Sequence, residues 1–217
     1  MRGETIAQYG DYAQHGGVVV FDTETTGVSN EDEVCQIAAA RYENGALTQP
    51  LNEYLKIPFP MPPQAEEIHG ISDAFLAANG LNPRVGLRKF FSLLRGDVLV
   101  VAHNARFDKR MIGAMCEKLG LKNRLDEKLT CDTWPLAKAV MPGLENYRLC
   151  TLVDSLGVEG ENTHNAFDDV NACAGVFFGL LLRHKSDAER TNRRRPRALT
   201  VSSASAWSCR VISRRWR

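Results

Sequence analysis

No stretch of this 217-residue chain approaches the ~20 consecutive apolar residues of a membrane-spanning helix, and Met1 to Gly16 holds no apolar segment of signal-peptide length. The six cysteines, Cys35, Cys116, Cys131, Cys150, Cys173 and Cys209, include no Cys-x-x-Cys pair and no His/Cys cluster with zinc spacing. A structural zinc site is therefore disfavoured. Most of these thiols lie in apolar segments, where cysteine packs as a small hydrophobe. No G-x-G-x-x-G follows the first apolar segment, which argues against a dinucleotide-binding crevice. Internal repeats and low-complexity tracts are missing before residue 183. The expectation from these absences is a thiol-reduced, cytoplasmic protein with no membrane span.

With 44% hydrophobic residues the chain can bury a sizeable core, which excludes disorder of the whole. The net charge of +1 conceals an asymmetry: residues 183–217 hold ten Arg and one Lys against Asp187 and Glu189, so nine surplus positive charges sit there and the rest carries −8. Apolar periodicity also stops near Leu182. Three parts are predicted: a polar lead over 1–16, a folded domain over 17–182, and a basic, disordered tail over 183–217. Arginines in such a tail can grip phosphates, whereas Trp207 and Trp216 among them would suit a membrane surface or a protein partner.

The run Val18-Val19-Val20-Phe21-Asp22-Thr23-Glu24-Thr25-Thr26-Gly27 ends a buried strand with two carboxylates two residues apart. Residues i and i+2 of a strand leave the same face, so Asp22 and Glu24 aim at one point if the strand persists through them. Like charges held that close call for a cation, and hard oxygen donors suit Mg²⁺ or Mn²⁺. A solvated strand end before a Thr/Gly turn would carry the same pair. Strands follow at 34–43 and 46–56, joined by Asn44-Gly45, the dipeptide suited to a type I′ hairpin. Past a loop at Pro58 to Pro63, short helical material follows Ile68-His69-Gly70-Ile71, and Pro83 opens a helix that Gly96 closes. Asp97 to Val101 is a second buried strand, followed by a helix bearing Met111, Met115 and Leu119. A short strand at 129–132, helices at 134–140 and 149–156, and a periodic helix at 165–182 complete the pattern. The predicted class is α/β, a mixed sheet of three antiparallel strands and then parallel ones, with helices on both faces.

Asp108 falls near the start of a helix, where the dipole alone favours an acid. His164 precedes the last helix and Asp169 opens it; Asp168 competes with Asp169 as the inward-facing acid, and spacing leaves that choice open. Taken together, Phe21-Asp22-Thr23-Glu24-Thr25-Thr26-Gly27, His103-Asn104-Ala105-Arg106-Phe107-Asp108 and His164-Asn165-Ala166-Phe167-Asp168-Asp169 resemble the three motifs of the DEDD exonuclease superfamily, in its DEDDh branch. Ile68-His69-Gly70-Ile71 and Cys131-Asp132-Thr133 resemble intermediate segments of its proofreading-type members, such as the epsilon subunit of bacterial DNA polymerase III.

The resemblance implies an RNase H-like fold and metal-dependent 3′-5′ exonuclease activity that releases nucleoside 5′-monophosphates. The histidine-to-aspartate spacing selects Asp169 over Asp168 by the same resemblance. It implies that Asp22, Glu24, Asp108 and Asp169 hold two divalent ions, that His164 is the general base, and that Thr23 and His69 contact substrate. A turn histidine explains His69 equally well. Implied partners are single-stranded or frayed 3′ ends of nucleic acid, DNA before RNA, and a DNA polymerase subunit. An RNA 3′-end trimming enzyme and a non-catalytic nucleic-acid-binding module on the same fold are the competing expectations.

Overall fold

Apolar alternation in the first third of the chain builds the sheet, and the computed structural model describes residues 3–159 and 165–194. Strands β1 (Gly17–Thr25), β2 (Val34–Glu43) and β3 (Ala46–Tyr54) form an antiparallel meander. Asn44 and Gly45 turn the β2–β3 hairpin with φ of 51° and 77°, the doubly positive pair that a type I′ turn requires. Strand β4 (Val98–Ala102) pairs parallel to β1, and β5 (Thr130–Asp132) parallel to β4, giving the order β3-β2-β1-β4-β5. This is the mixed α/β sheet expected.

Helices cover both faces. The period of two sends Val18 and Val20 into one core with α1 (Gly3–His15), α6 (Thr133–Val140), α7 (Leu149–Leu156) and α8 (Ala166–Arg194). Val19 and Phe21 enter the other, with α4 (Pro83–Leu93) and α5 (Ala105–Lys118). Strands enclosed on both sides read as unbroken apolar runs, which is why Val18 to Phe21 and Val98 to Ala102 carry no polar residue. Phe21 lies 5.2 Å from Phe90 between ring centres, both fully buried, and truncating Phe21 to Ala would cost about 3–5 kcal/mol. The short α2 (Pro63–His69) and α3 (Asp73–Asn79) bury Ala65 and Leu76 against Cys35.

The structure departs from the sequence reading at both ends. The polar lead is helix α1, which puts Ile6, Tyr9 and Ala13 into the core. Their i, i+3, i+7 spacing is helical, but three apolar positions among polar neighbours and Gly10 make a faint signal. Helix α8 runs through Arg194, twelve residues past the boundary at Leu182. Loss of apolar spacing ended its contact with the core and left the helix intact, since Lys, Arg, Ala and Glu are strong helix formers. The remainder of the expected tail, 195–217, lies outside the described residues. Among those described, no helix is long and apolar enough to cross a membrane.

The parallel strands create a crevice. β1 pairs with β4 only as far as Val20↔Val101 and β4 ends at Ala102, so Asp22 to Thr25 overhang the carboxyl edge of β4, where the connections into α5 and α6 leave the sheet. Open α/β sheets bind ligands at such an edge.

Candidate active site

Strand β1 persists through Thr25, meeting the condition for Asp22 and Glu24 to share a face. That face continues Val18 and Val20, the side covered by α8, and buried Asp169 meets them from the first turn of α8. One oxygen from each of Asp22, Glu24 and Asp169 lies within 4.8 Å of the others. Asp168 stands outside this cluster, on a less buried position of the same turn. Thr23 points to the opposite side, toward α5, where Asp108 is 3% exposed. Its backbone N–H (3.1 Å) and hydroxyl (2.7 Å) both donate to Asp108 Oδ1.

Burial dominates the electrostatics, and repulsion among the carboxylates adds to it. Burial pushes the Asp22 carboxyl well above the usual carboxylate range, and the charges of Asp108, Glu24 and Asp169 add to the shift. Glu24 is pushed up to about 8 by burial, then by Asp169 and Asp108. Asp108 rises to about 7 through burial, with the Thr23 hydrogen bonds opposing the shift. A donor set of carboxylate oxygens alone, half-buried and mutually repelling, fits hard divalent cations and has nothing to offer a thiophilic metal. Asp22, Glu24 and Asp169 are the residues whose oxygens converge and would hold such a cation, while Asp108 lies outside that cluster and is bound to Thr23.

Beside the cluster a cavity of about 250 Å³ is lined by Thr23, Glu24, Gly27, Gln64, His69 and Phe107. Thr23 and His69 thus both reach the space next to Glu24. His69 is also tied into the fold: Nδ1 accepts from the Ile71 N–H at 3.0 Å, the ring bonds the Thr25 backbone, and burial lowers its pKa. It is the last residue of α2, and it lines the cavity. His164 lies outside the described residues.

The family model described as "Exonuclease" matches residues 19–177, a span that contains all four carboxylates. The chain belongs to the exonuclease family. The DNA polymerase III subunit epsilon of Treponema pallidum is 30% identical over 177 residues, covering 79% of each chain. A DNA polymerase III PolC-type protein of Caldanaerobacter subterraneus subsp. tengcongensis is 34% identical over 167 residues, covering 76% of this chain and 12% of its own, so this chain spans about an eighth of that relative. Among solved structures, apo Exonuclease I superposes with a TM-score of 0.69 at 22% identity, covering 83% of this chain and 46% of the other. Exonuclease X, in complex with 5′ overhanging duplex DNA, gives 0.59 at 23% identity, covering 79% and 93%. Both likenesses show the fold.

Within this exonuclease-family site the structure reveals supports that sequence reasoning missed. Gln36, fully buried on β2 opposite Glu24, donates to Asn52 Oδ1 at 2.8 Å and to Asn165 Oδ1 at 3.4 Å, and its Oε1 accepts from the Ala166 N–H at 3.4 Å. It ties the start of α8, and so Asp169, to the strand that carries Glu24. The visible signal was a lone amide inside the apolar run Val34 to Ala40. Asp132 caps α6 through the Trp134 N–H (2.9 Å) and also accepts from the N–H of Asn104, the left-handed residue that turns β4 into α5. Gly27 is needed for close approach, since a Cβ there would fall 2.6 Å from the Asp32 carboxylate that gathers Thr26 and Ser29. Arg110 donates to Asn30 Oδ1 and to the Val28 carbonyl, holding the same loop against α5.

Proposed function

We propose that this protein is a 3′-5′ exonuclease that removes nucleoside 5′-monophosphates from single-stranded or frayed DNA 3′ ends with two divalent cations, Mg²⁺ or Mn²⁺. The observation that carries this reading is the convergence of Asp22, Glu24 and Asp169 from two elements on one point, with Asp108 behind them. When bound, a pair of such cations supplies Lewis acidity for an in-line displacement at phosphorus. The chain's own residues set the geometry. Thr23, whose amide and hydroxyl hold Asp108, lines the cavity together with Phe107 and His69, and that space takes the terminal nucleoside. His164 is assigned as the base that takes the proton of the attacking water.

The family and the relatives named for DNA polymerase III support DNA as substrate and a replicative polymerase as partner. The test is mass analysis of products from single-stranded DNA and matched RNA in Mg²⁺. Successive loss of 5′-mononucleotides from the 3′ end, faster on DNA and abolished in Asp22→Ala, is expected. Oligonucleotide products, or full activity in Asp22→Ala, would overturn the assignment.

A further inference from the structure

A second cavity, of about 890 Å³, opens on the same carboxyl edge of the parallel strands as the carboxylates. Its walls are His103 and Asn104 at the end of β4, Trp134 and Lys138 on α6, and Tyr147 and Arg148 before α7. Trp134 is 44% exposed, an unusual position for the largest apolar side chain. Lys138 Nζ lies 3.6 Å from the centre of that indole and 5.6 Å from the Tyr147 ring. Among the described residues neither Lys138 nor Arg148 forms an ion pair. Both cations face this one cavity, and Glu145 is the one acid in its lining.

The cavity connects to the carboxylates through His103, Thr133 and Cys173. His103 Nδ1 lies 2.8 Å from Thr133 Oγ1, which lies 4.0 Å from Cys173 Sγ, and Asp22 and Asp108 act electrostatically on that thiol. His103 also bonds the Tyr147 backbone. Flat aromatic surface beside unpaired cations is the chemistry that holds single-stranded nucleic acid, bases on the rings and phosphates on the ammonium and guanidinium groups.

We propose that this cavity binds the single-stranded segment on the 5′ side of the scissile bond, with Trp134 as the stacking platform and Lys138 and Arg148 as phosphate contacts. The inference rests on the exonuclease reading. It adds a second binding site, one that acts on affinity for a strand and leaves the bond-breaking site alone.

The test compares the full chain with Trp134→Ala, Trp134→Phe and a double variant carrying Lys138→Ala and Arg148→Ala. Two substrates separate the sites: the p-nitrophenyl ester of thymidine 5′-phosphate, confined to the cleavage site, and an oligothymidylate strand that crosses both. Trp134→Ala is expected to raise KM for the strand about fivefold or more, the lower end of a lost base stack. Its kcat and its ester hydrolysis are expected to stay within about twofold, the signature of lost uniform binding. Trp134→Phe restores most of the affinity. The double variant flattens the slope of log affinity against log salt by about 1.4, at ~0.7 per phosphate of a single strand. Equal losses on both substrates would show that Trp134 only holds α6 in place, and an unchanged strand KM would send the strand elsewhere; either result overturns the proposal. Fluorescence anisotropy of labelled oligothymidylate in Ca²⁺ repeats the comparison without turnover. A wild-type chain that hydrolyses neither substrate defeats the exonuclease reading, while weaker anisotropy binding in Trp134→Ala still sustains the cavity and equal binding overturns it.

Discussion

Thr23 and Asp108 are joined twice, the amide and the hydroxyl of one residue donating to a single carboxylate oxygen of the other at 3.1 and 2.7 Å. The amide bond exists because β1 outruns β4, leaving the Thr23 N–H beyond the parallel ladder for the first turn of α5 to satisfy. Thr23→Val keeps the shape and the amide bond and removes the hydroxyl. It is expected to cost about 0.5–1.5 kcal/mol in denaturant unfolding, the worth of one intramolecular hydrogen bond, and to reduce kcat by releasing Asp108. Unchanged unfolding and turnover would show that the amide alone holds the carboxylate.

The raised carboxyl pKa values make metal-free stability depend on pH in a direction that can be worked out. Glu24 at about 8 and Asp108 at about 7, with Asp22 also raised, are groups that the fold holds against ionisation. Their contribution is fully present below the unfolded carboxylate pKa of about 4 and is lost as pH rises through the folded values. Thermal melts in EDTA are therefore expected to give a Tm that falls from about pH 5 to about pH 8, with Asp22→Asn flattening the trend. Adding Mn²⁺ raises Tm most at the alkaline end, since the cation binds the ionised folded state. A metal-free Tm that rises over this range would mean that the carboxylates are not crowded together.

Gln36 fastens the start of α8 to the middle of the sheet. Gln36→Leu fills the space and leaves the buried Ala166 N–H without its partner, whereas the exposed Asn52 Oδ1 can turn to water. A buried group so orphaned costs about 1–3 kcal/mol, so a loss of that size in unfolding free energy is expected. The Mn²⁺ concentration for half-maximal activity should rise as well, because Asp169 rides on the same helix end. Lost stability with an unmoved metal requirement would confine Gln36 to the fold.

Helix phase separates two adjacent acids. Asp169→Asn is expected to abolish measurable turnover, whereas Asp168→Asn stays within about tenfold, one step of about 1.36 kcal/mol in barrier. His164→Ala is expected to slow turnover by about 10² to 10⁴ with metal affinity kept, and raised pH recovers part of the loss as hydroxide replaces the base. Single-turnover rates for the three variants check both statements, and equal damage from Asp168→Asn and Asp169→Asn would place the wrong acid in the site.

Local backbone geometry made much of this protein legible in its linear order. Strand alternation alone placed Asp22 and Glu24 on one face, and Asn44-Gly45 announced the hairpin because few residues accept two positive φ values in succession. The order of the three motif segments carried the family. Helix α1 escaped because its core contacts are three residues that gain meaning only when the sheet is there to receive them. The end of α8 was set too early because burial was read as a condition for helix.

Convergence belonged to the tertiary structure. Asp169 shares its helix face with Cys173 and Phe177, but a helix can be drawn toward any sheet until the crossing of α8 over β1 fixes which acid arrives at Asp22. Likewise the union of Thr23 with Asp108, the clasp of Gln36 on Ala166 and the cavity under Trp134 join residues 30 to 130 positions apart. The sequence determined the strands, the helices and the chemistry each could carry, because those follow from repeats of two and 3.6 residues along a chain. Only the packed sheet decided which of those groups meet, because the distance between them is set by strand order and overhang, quantities with no local signature.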